Sequence, residues 1–522
     1  MNRLIVLLGA FFSFSSTAQD MTKIRDTIIN GRHLIVEDIT LTDVKAENDE
    51  PSVIYPTNWW VGMHYSKPEL MIHLVDIGNA ASVTVNYPGV TISDWHRVEN
   101  PNYLFLHLNI APATRPGMLI LTIHPKSGGT IRFPYNLLPR RHGNGTTYAQ
   151  GVTSKDFIYF LMPDRWSNGD PSNDRIPGLK DQSLNRDSIF LRHGGDFQGI
   201  LNHLDYLQSL GVTTLWMTPV IENDMPNRTE HGYAFTDHYT IEPRLGGATL
   251  YKRLADSLHR RGMKLIQDAV YNHVGLYNWF IQDLPEKSWL HQWPEYTQTN
   301  YRDQVWFDPH ASQSDKKIMS DGWFTRQMPD LNQDNPDVAE FLIEHAIWCV
   351  ETFGVDGWRI DTYIYCSLPF MNKCNSALIA EYPKMTMFGE TWVHGTANQA
   401  YFVRNNLNVP FKSNLMGAVD FQMLFSGIQP AVRDTSGGGG GVGELYNTLS
   451  NDFLYHDPTR NVIFLDNHDM TRFFSETGED PAAQEIGIEW LLTERGIPQL
   501  YYGTEICMKG IDNPDEIGRA HV

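Results

Sequence analysis

From about residue 151 the chain alternates short apolar segments with amphipathic helical segments, a pattern typical of parallel strands connected through helices. Eight of the apolar segments have the length and composition of buried strands: 157–161, 212–217, 263–270, 355–360, 386–388, 418–421, 461–465 and 499–502. Eight strands separated by helices predict an α/β fold, the (β/α)8 TIM barrel. In such a barrel the active site forms at the carboxyl ends of the strands.

Two other parts of the chain do not follow this pattern. Residues 20–150 contain short β-rich runs separated by Gly and Pro, which predict an N-terminal β-sandwich ahead of a barrel at 151–515. The stretch between His273 and Asp330 is too long for an ordinary connection and predicts a subdomain inserted after strand 3, at about 274–330. Its tryptophans are candidates for lining a cleft: Trp279, Trp289, Trp293, Trp306 and Trp323.

Residues 1–18 have the three parts of a secretory signal peptide. Arg3 supplies a basic tip, residues 4–14 form a short apolar core, and small residues lead to Ala18. We therefore expect cleavage near Ala18 and export of the protein to the periplasm or the medium. No later stretch is apolar enough for a transmembrane helix, so we expect no stable membrane anchor.

The chain is acidic, with a formal net charge of -20. An acidic surface repels phosphate groups, so we expect a neutral substrate and no nucleic-acid partner. The four cysteines lack the C-x-x-C spacing of metal or redox sites. The sequence leaves open whether Cys366 and Cys374 form a disulfide in an oxidising compartment or stay as free thiols.

Four of the eight predicted strands end in carboxylates beside His, Arg or Asn. These residues are Asp268 and His273 after the third strand, Arg359 and Asp361 at the fourth, Glu390 after the fifth, and Asp466, His468 and Asp469 after the seventh. The spacing of Arg359 and Asp361 puts both side chains on one face of a strand, where the arginine favours an ionised aspartate. A single pair of this kind can be a structural ion pair. Four such ends on one rim favour a catalytic site.

The motifs D-x-x-x-N-H at 268–273, G-x-R-x-D at 357–361, G-E at 389–390 and N-H-D at 467–469 occur in this order. In these motifs the chain resembles the α-amylase superfamily of glycoside hydrolases, from about residue 157 to 510. The resemblance implies that Asp361 is the nucleophile, Glu390 the general acid/base and Asp469 a stabiliser of the transition state. It further implies a set of residues that bind the sugar at the cleavage subsite: Tyr233, His273, Arg359 and His468.

These roles predict a retaining hydrolase of α-1,4-glucosidic bonds, which needs one ionised and one protonated carboxyl group close together. We expect Asp361 to stay ionised beside Arg359. We expect burial and neighbouring carboxylates to raise the pKa of Glu390. An α-glucan glycosyltransferase or isomerase shares this chemistry, and a non-catalytic glucan-binding protein shares the fold; three intact carboxyl groups argue against the latter.

Residues 168–174 carry four Asn and Asp side chains, a set that suits a hard cation such as Ca²⁺ but also makes turns. The segment resembles the calcium loop of cyclomaltodextrinases and neopullulanases, in which a later Gly-Gly-Asp completes the shell. The ligands that this resemblance implies are Asn168, Asp170, Asn173, Asp174, the Gly194 carbonyl and Asp196.

The predicted sandwich also resembles the N-terminal domain of cyclomaltodextrinases and neopullulanases. Together with export, this resemblance implies a periplasmic enzyme of a starch-utilisation system. The sequence leaves open which of starch oligosaccharides, pullulan and cyclodextrins the enzyme prefers. It also leaves open whether the protein forms homo-oligomers. Such relatives continue into a C-terminal β-domain, so we expect that domain to be missing from this chain. Residues 516–522 can be encoded by a common sequencing-adapter string, and we expect them to be an artefactual tail.

Overall fold

The computed structural model describes residues 53–434 and 439–511, together with the backbone of two short strands, β1 (Arg25–Ile29) and β2 (Arg32–Val36). These two strands pair antiparallel. The predicted signal peptide (1–18) and the predicted artefactual tail (516–522) lie outside the described residues.

Two four-stranded sheets form the N-terminal β-sandwich, in the strand orders β4-β10-β9-β6 and β3-β5-β8-β7. Their strands are β3 (Val53–Tyr55), β4 (Trp59–Trp60), β5 (Glu69–His73), β6 (Ala80–Val85), β7 (Val90–His96), β8 (Tyr103–Ile110), β9 (Gly117–Pro125) and β10 (Ile131–Leu138). Alternate residues of β9, Leu119, Leu121 and Ile123, are buried because successive side chains of a strand point to opposite faces. These residues belong to one continuous buried cluster that also includes residues of the barrel strands.

Eight parallel strands form the sheet of the second domain, in the order β18-β17-β16-β15-β12-β11-β20-β19. They are β11 (Ile158–Leu161), β12 (Thr214–Met217), β15 (Lys264–Ala269), β16 (Gly357–Ile360), β17 (Thr386–Gly389), β18 (Gly417–Ala418), β19 (Val462–Phe464) and β20 (Ile497–Tyr501). A parallel bridge between Val419 and Val462 joins the two edges of the sheet. The predicted (β/α)8 barrel is confirmed, and each predicted strand overlaps an observed one.

Helices follow or flank the barrel strands, and a short hairpin, β13 (Ile221–Glu222) and β14 (Asp237–Ile241), follows β12. The helices are α1 (Pro163–Trp166), α2 (Phe197–Asn202), α3 (Leu204–Ser209), α4 (Gly247–Arg260), α5 (Trp279–Gln282), α6 (Gln313–Asp321), α7 (Pro336–Phe353), α8 (Leu368–Glu381), α9 (Thr396–Tyr401), α10 (Gln429–Arg433), α11 (Val442–Leu449), α12 (Phe473–Glu476) and α13 (Pro481–Thr493). A π-helical segment, Met423–Ile428, precedes α10.

The longest helix, α7, lies between the sandwich and the barrel. Its start is set by Asn335, whose side-chain oxygen accepts hydrogen bonds from the backbone N–H groups of Asp337 and Val338. It ends at Gly354, which has the left-handed φ of 77° that glycine adopts without strain. From its buried length, Trp348 Nε1 donates to Asn58 Oδ1 of the sandwich at 3.0 Å. The helix therefore ties the two domains together.

The inserted subdomain contains α5 and α6 and returns to the barrel where His273 forms an antiparallel bridge with Asp330.

The four cysteines, Cys349, Cys366, Cys374 and Cys507, all carry free thiols, so Cys366 and Cys374 form no disulfide. No helix within the described ranges combines the length and the apolar character needed to cross a membrane.

Candidate active site

The carboxyl ends of β15, β16 and β17 place three acidic side chains around the guanidinium of Arg359. Asp268 of β15 is the registered neighbour of Arg359 of β16, and Glu390 directly follows β17. Arg359 Nη1 donates to Asp268 Oδ1 at 2.8 Å and to Asp361 Oδ1 at 2.7 Å, and Nη2 lies 3.1 Å from Glu390 Oε2. The residues predicted to be nucleophile and acid/base are therefore close neighbours.

Glu390 has the environment of a proton donor. Burial raises the pKa of Glu390 to about 8. The charge of Arg359 opposes this rise, and the charges of Asp361 and Asp469 add to it. The backbone N–H of Thr362 donates to Glu390 Oε2 at 2.8 Å and fixes the orientation of the carboxyl group. Thr362 presents this N–H from a left-handed backbone conformation, with φ 45°. Glu390 is therefore protonated at neutral pH.

Asp361 has a lower pKa than Glu390. Burial raises the pKa of Asp361 to about 6, although the adjacent Arg359 lowers it. Asp361 is consequently ionised at pH 7 while Glu390 holds its proton. This order of ionisation matches the one expected from the sequence.

Aromatic and imidazole rings form the wall around these carboxyl groups. Tyr233 stacks on His468 with ring centroids 5.3 Å apart, and its hydroxyl donates to Asp268 Oδ2 at 3.2 Å. His468 Nε2 lies 3.4 Å from Asp469 Oδ2. His273 stacks on Phe324, with ring centroids 4.9 Å apart, and its buried Nε2 has no hydrogen-bond partner among the described residues. Burial lowers the pKa of His273 to about 3, so its ring is neutral and can bond a hydroxyl group.

A cleft of about 800 Å³ opens above these residues. The predicted site residues that line it are Tyr233, His273, Asp361, Glu390, His468 and Asp469. Arg359 lies beneath the cleft, is 2% exposed and contacts the carboxyl groups. It can position those groups, whereas the cleft-lining residues can touch a ligand.

The prediction that tryptophans of the inserted subdomain line the cleft is wrong. None of Trp279, Trp289, Trp293, Trp306 and Trp323 belongs to the lining as described. Trp279 instead stacks on Tyr103 of the sandwich, and Trp289 packs against Phe105. The aromatic lining comes from Phe190, Tyr301, Phe324, Tyr365 and Trp392.

The six predicted calcium ligands lie around one loop after β11. Asn168 Nδ2 donates to Asp174 Oδ1 at 2.7 Å, and the backbone N–H of Asp170 donates to Asp196 Oδ2 at 2.8 Å. Asn173 Nδ2 donates to Asp196 Oδ2 at 3.2 Å. A Cβ atom added to Gly194 would lie 2.7 Å from Asp174 Oδ1, so a side chain there would intrude into the cluster.

The oxygen atoms of this loop fit a hard cation. The side-chain oxygens of Asn168 and Asn173 are buried and have no hydrogen-bond partner in the described structure. Unpaired buried oxygens beside carboxylates form the donor set that Ca²⁺ prefers. Asp196 also caps α2, because its Oδ1 accepts from Gly199 N at 2.6 Å.

Two contributors to the site received no role from the sequence. Asp268 binds the same guanidinium as Asp361. The sequence indicates this position, because Asp268 lies on the strand that precedes the strand of Arg359 in the predicted barrel. Thr362 acts through its backbone N–H, which no side-chain pattern announces. Strand order thus placed Asp268 on the predicted rim without giving it a role, whereas nothing in the sequence marked Thr362.

A (β/α)8 barrel with an ionised and a protonated carboxyl group below a cleft has the architecture of a glycoside hydrolase. Comparison with protein families agrees: residues 160–521 match the family described as "Alpha amylase, catalytic domain", and residues 53–141 match "Cyclomaltodextrinase, N-terminal". The chain belongs to the alpha-amylase family, whose model matches more than half of it.

Individual relatives share about 30% of the sequence. The "Beta/alpha-amylase" of Paenibacillus polymyxa is 32% identical over 69% of this chain and 28% of its own length, and "Neopullulanase 2" of Thermoactinomyces vulgaris is 30% identical over 69% and 57%. The alpha-amylase GTA of Geobacillus thermoleovorans, solved in complex with acarbose, superposes with a TM-score of 0.57 at 28% identity, covering 70% of this chain and 74% of that one. This chain thus spans less than two thirds of the length of these two curated relatives.

Proposed function

We propose that this protein hydrolyses α-1,4-glucosidic bonds in starch-derived oligosaccharides, pullulan or cyclodextrins, with retention of configuration at the anomeric carbon. The observation that carries the proposal is that one guanidinium, that of Arg359, contacts both carboxyl groups. Its nitrogen atoms lie 2.7 Å from Asp361 Oδ1 and 3.1 Å from Glu390 Oε2. Retaining enzymes use two carboxyl groups about 5–5.5 Å apart, one as nucleophile and one as acid/base. Family membership and relatives named for amylase and neopullulanase activity support the same substrate class.

In the first step an oxygen of the Asp361 carboxylate attacks the anomeric carbon, and the bond from that carbon to the bridging oxygen breaks. Glu390 gives its proton to the departing oxygen, and a covalent glycosyl-enzyme forms. In the second step Glu390, now ionised, takes a proton from water while the water oxygen displaces Asp361. The pKa of about 8 for Glu390 makes it a donor at neutral pH and a base after the first step.

The surrounding rings hold the sugar during these steps. Tyr233 and His468, which stack on each other, both line the cleft, and His273 can offer its Nε2, which has no partner among the described residues, to a sugar hydroxyl. Asp469 can bind hydroxyl groups more tightly as the ring flattens toward an oxocarbenium ion. That difference in binding lowers the barrier.

Incubation with maltoheptaose, pullulan and β-cyclodextrin, with chromatography of the products, tests the proposal. We expect reducing sugars from at least one substrate and none from the Asp361→Asn variant, which keeps the shape of the side chain. Release of no sugar by the unmodified protein, with retained binding of maltoheptaose, would favour a non-catalytic glucan-binding protein. NMR of the first product distinguishes retention, which gives the α-anomer, from inversion.

We also propose that the loop at 168–196 binds Ca²⁺ through Asn168, Asp170, Asn173, Asp174, the Gly194 carbonyl and Asp196. The ion would neutralise the carboxylates and satisfy the unpaired amide oxygens, and so order the loop that follows the first barrel strand. Isothermal titration of Ca²⁺ into chelator-treated protein measures the binding of Ca²⁺ to this loop. Absence of binding at millimolar Ca²⁺ would refute it.

Export remains a proposal that rests on residues 1–18, and cell fractionation with sequencing of the mature N-terminus tests it. Homo-oligomerisation is tested by light scattering of the purified protein.

A further inference from the structure

The seam between the sandwich and α7 holds a group of ionisable side chains that the proposed reaction does not use. Glu69 begins β5, His96 ends β7, and Asp337 lies in the first turn of α7. One ligand atom from each of these three residues lies within 4.8 Å of the other two. The group, which we call the seam cluster, thus connects two strands of one domain to a helix of the other.

The carboxylates of the seam cluster are buried beside histidines. Glu69 is 5% exposed and Asp337 7% exposed. Within the described ranges their ion pairs are with histidines only: His107 Nε2 lies 3.2 Å from Glu69 Oε2, and His96 Nε2 lies 3.0 Å from Asp337 Oδ2. A bound cation would offset the cost of burying two acids.

We propose that Glu69, His96 and Asp337 form a Zn²⁺ site that fastens the sandwich to the barrel. One imidazole nitrogen and two carboxylate oxygens are typical Zn²⁺ ligands, at about 2.0–2.2 Å from the ion. Ligands arranged tetrahedrally at that distance are roughly 3.4 Å apart, within the spacing of the seam cluster. The fourth position takes a water molecule.

Access and orientation both support the site. The His96 side chain is 36% exposed, so an ion can reach the cluster from solvent. His107 stands outside the group of three, and its contact with Glu69 holds that carboxylate in place. Partners of this kind typically change metal affinity by about 10–100-fold.

Isothermal titration of ZnCl₂ into metal-free full-length protein tests the site, with excess CaCl₂ present to occupy the loop at 168–196. We expect one Zn²⁺ per chain and a rise in Tm with Zn²⁺. No binding at about 0.1 mM Zn²⁺ would overturn the proposal, since a three-residue site should bind more tightly.

Variants locate the ion. His96→Gln, at a partly exposed position, should weaken binding by more than tenfold and abolish the Tm response, and His107→Gln should weaken it by about tenfold. His124→Gln is the matched control, because His124 lies on β9 of the other sheet and contacts Thr130. Wild-type affinity in both His96→Gln and Glu69→Gln would refute the assignment, and the use of two variants guards against one that fails to fold.

Discussion

Asp268 shares the guanidinium of Arg359 with Asp361, and its replacement by asparagine should move the acidic limb of the pH profile. The two Oδ1 atoms lie 2.8 and 2.7 Å from the same Nη1 atom. They are therefore at most about 5.5 Å apart, where two charges repel by roughly 3 kcal/mol at an effective dielectric constant of about 20. Fully charged, Asp268 would raise the pKa of Asp361 by about 2 units.

Asp268 itself has a pKa raised by burial to about 6, so it is only partly charged over the acidic limb. We therefore expect Asp268→Asn to lower the midpoint of the acidic limb by about 1 pH unit, from about pH 6 to about pH 5. The proposed reaction requires ionised Asp361, which is present above its pKa, so the variant should keep more of its maximal activity at low pH. At pH 5 the ionised fraction of Asp361 rises from about 10% to about 50%, a fivefold gain relative to the optimum.

The assay is kcat/KM for maltoheptaose between pH 4 and 10, because this ratio reports the free enzyme. The alkaline limb, set in the proposed reaction by Glu390 losing its proton, lies near pH 8 in the unmodified protein and should also move to lower pH in Asp268→Asn, because the charges of Asp268 and Glu390 repel each other. Asp330→Asn is the control, since Asp330 is a buried carboxyl group bonded to His291 at 3.1 Å and does not contact Arg359. An acidic limb that stays at the same pH in Asp268→Asn would refute the electrostatic coupling.

Three further predictions concern single parts of the site. Glu390→Gln should lower kcat by about 10²–10⁴-fold because the leaving oxygen loses its proton donor, and a loss below tenfold would exclude Glu390 as the acid. Tyr233→Ala removes the ring stacked on His468 and should raise KM for maltoheptaose by about tenfold with a smaller change in kcat; an unchanged KM would contradict the stacking role. Asn173→Ala removes an unpaired buried oxygen of the calcium loop, so its Tm should no longer rise when Ca²⁺ is added after chelation, and a wild-type rise would contradict the ligand assignment.

The arrangement of strands was predictable because short local sequence patterns determine the barrel strands. Apolar runs mark its strands, and the carboxyl ends of parallel strands share one rim, so Asp361 and Glu390 could be placed together before any coordinates. The poorest match is β18, predicted at 418–421 and observed at Gly417–Ala418, so that only one residue is shared. A Cβ at Gly417 would clash with the carbonyl of Arg460, so this strand depends on a close backbone approach.

Side-chain directions in the insertion were not predictable, because long-range packing sets them. Trp279 looked free to face a substrate, but the sandwich offers Tyr103 as a stacking partner. Likewise, contact between Arg359 and Glu390 depends on the register of β16 and β17, which pairs Arg359 with Phe388. Sequence alone identifies the chemical groups, while strand register and domain contacts decide which of them meet.

The central claim, that Asp361 attacks the sugar while Glu390 serves the leaving group, is tested most directly by trapping the intermediate. A fluorinated α-glucosyl fluoride with a slow second step should be incubated with the protein, and the digested peptides analysed by mass spectrometry. We predict one added glycosyl group on the peptide containing Asp361, and none in the Asp361→Asn variant. A label on another residue, or turnover of the reagent with inversion and no label, would contradict the account.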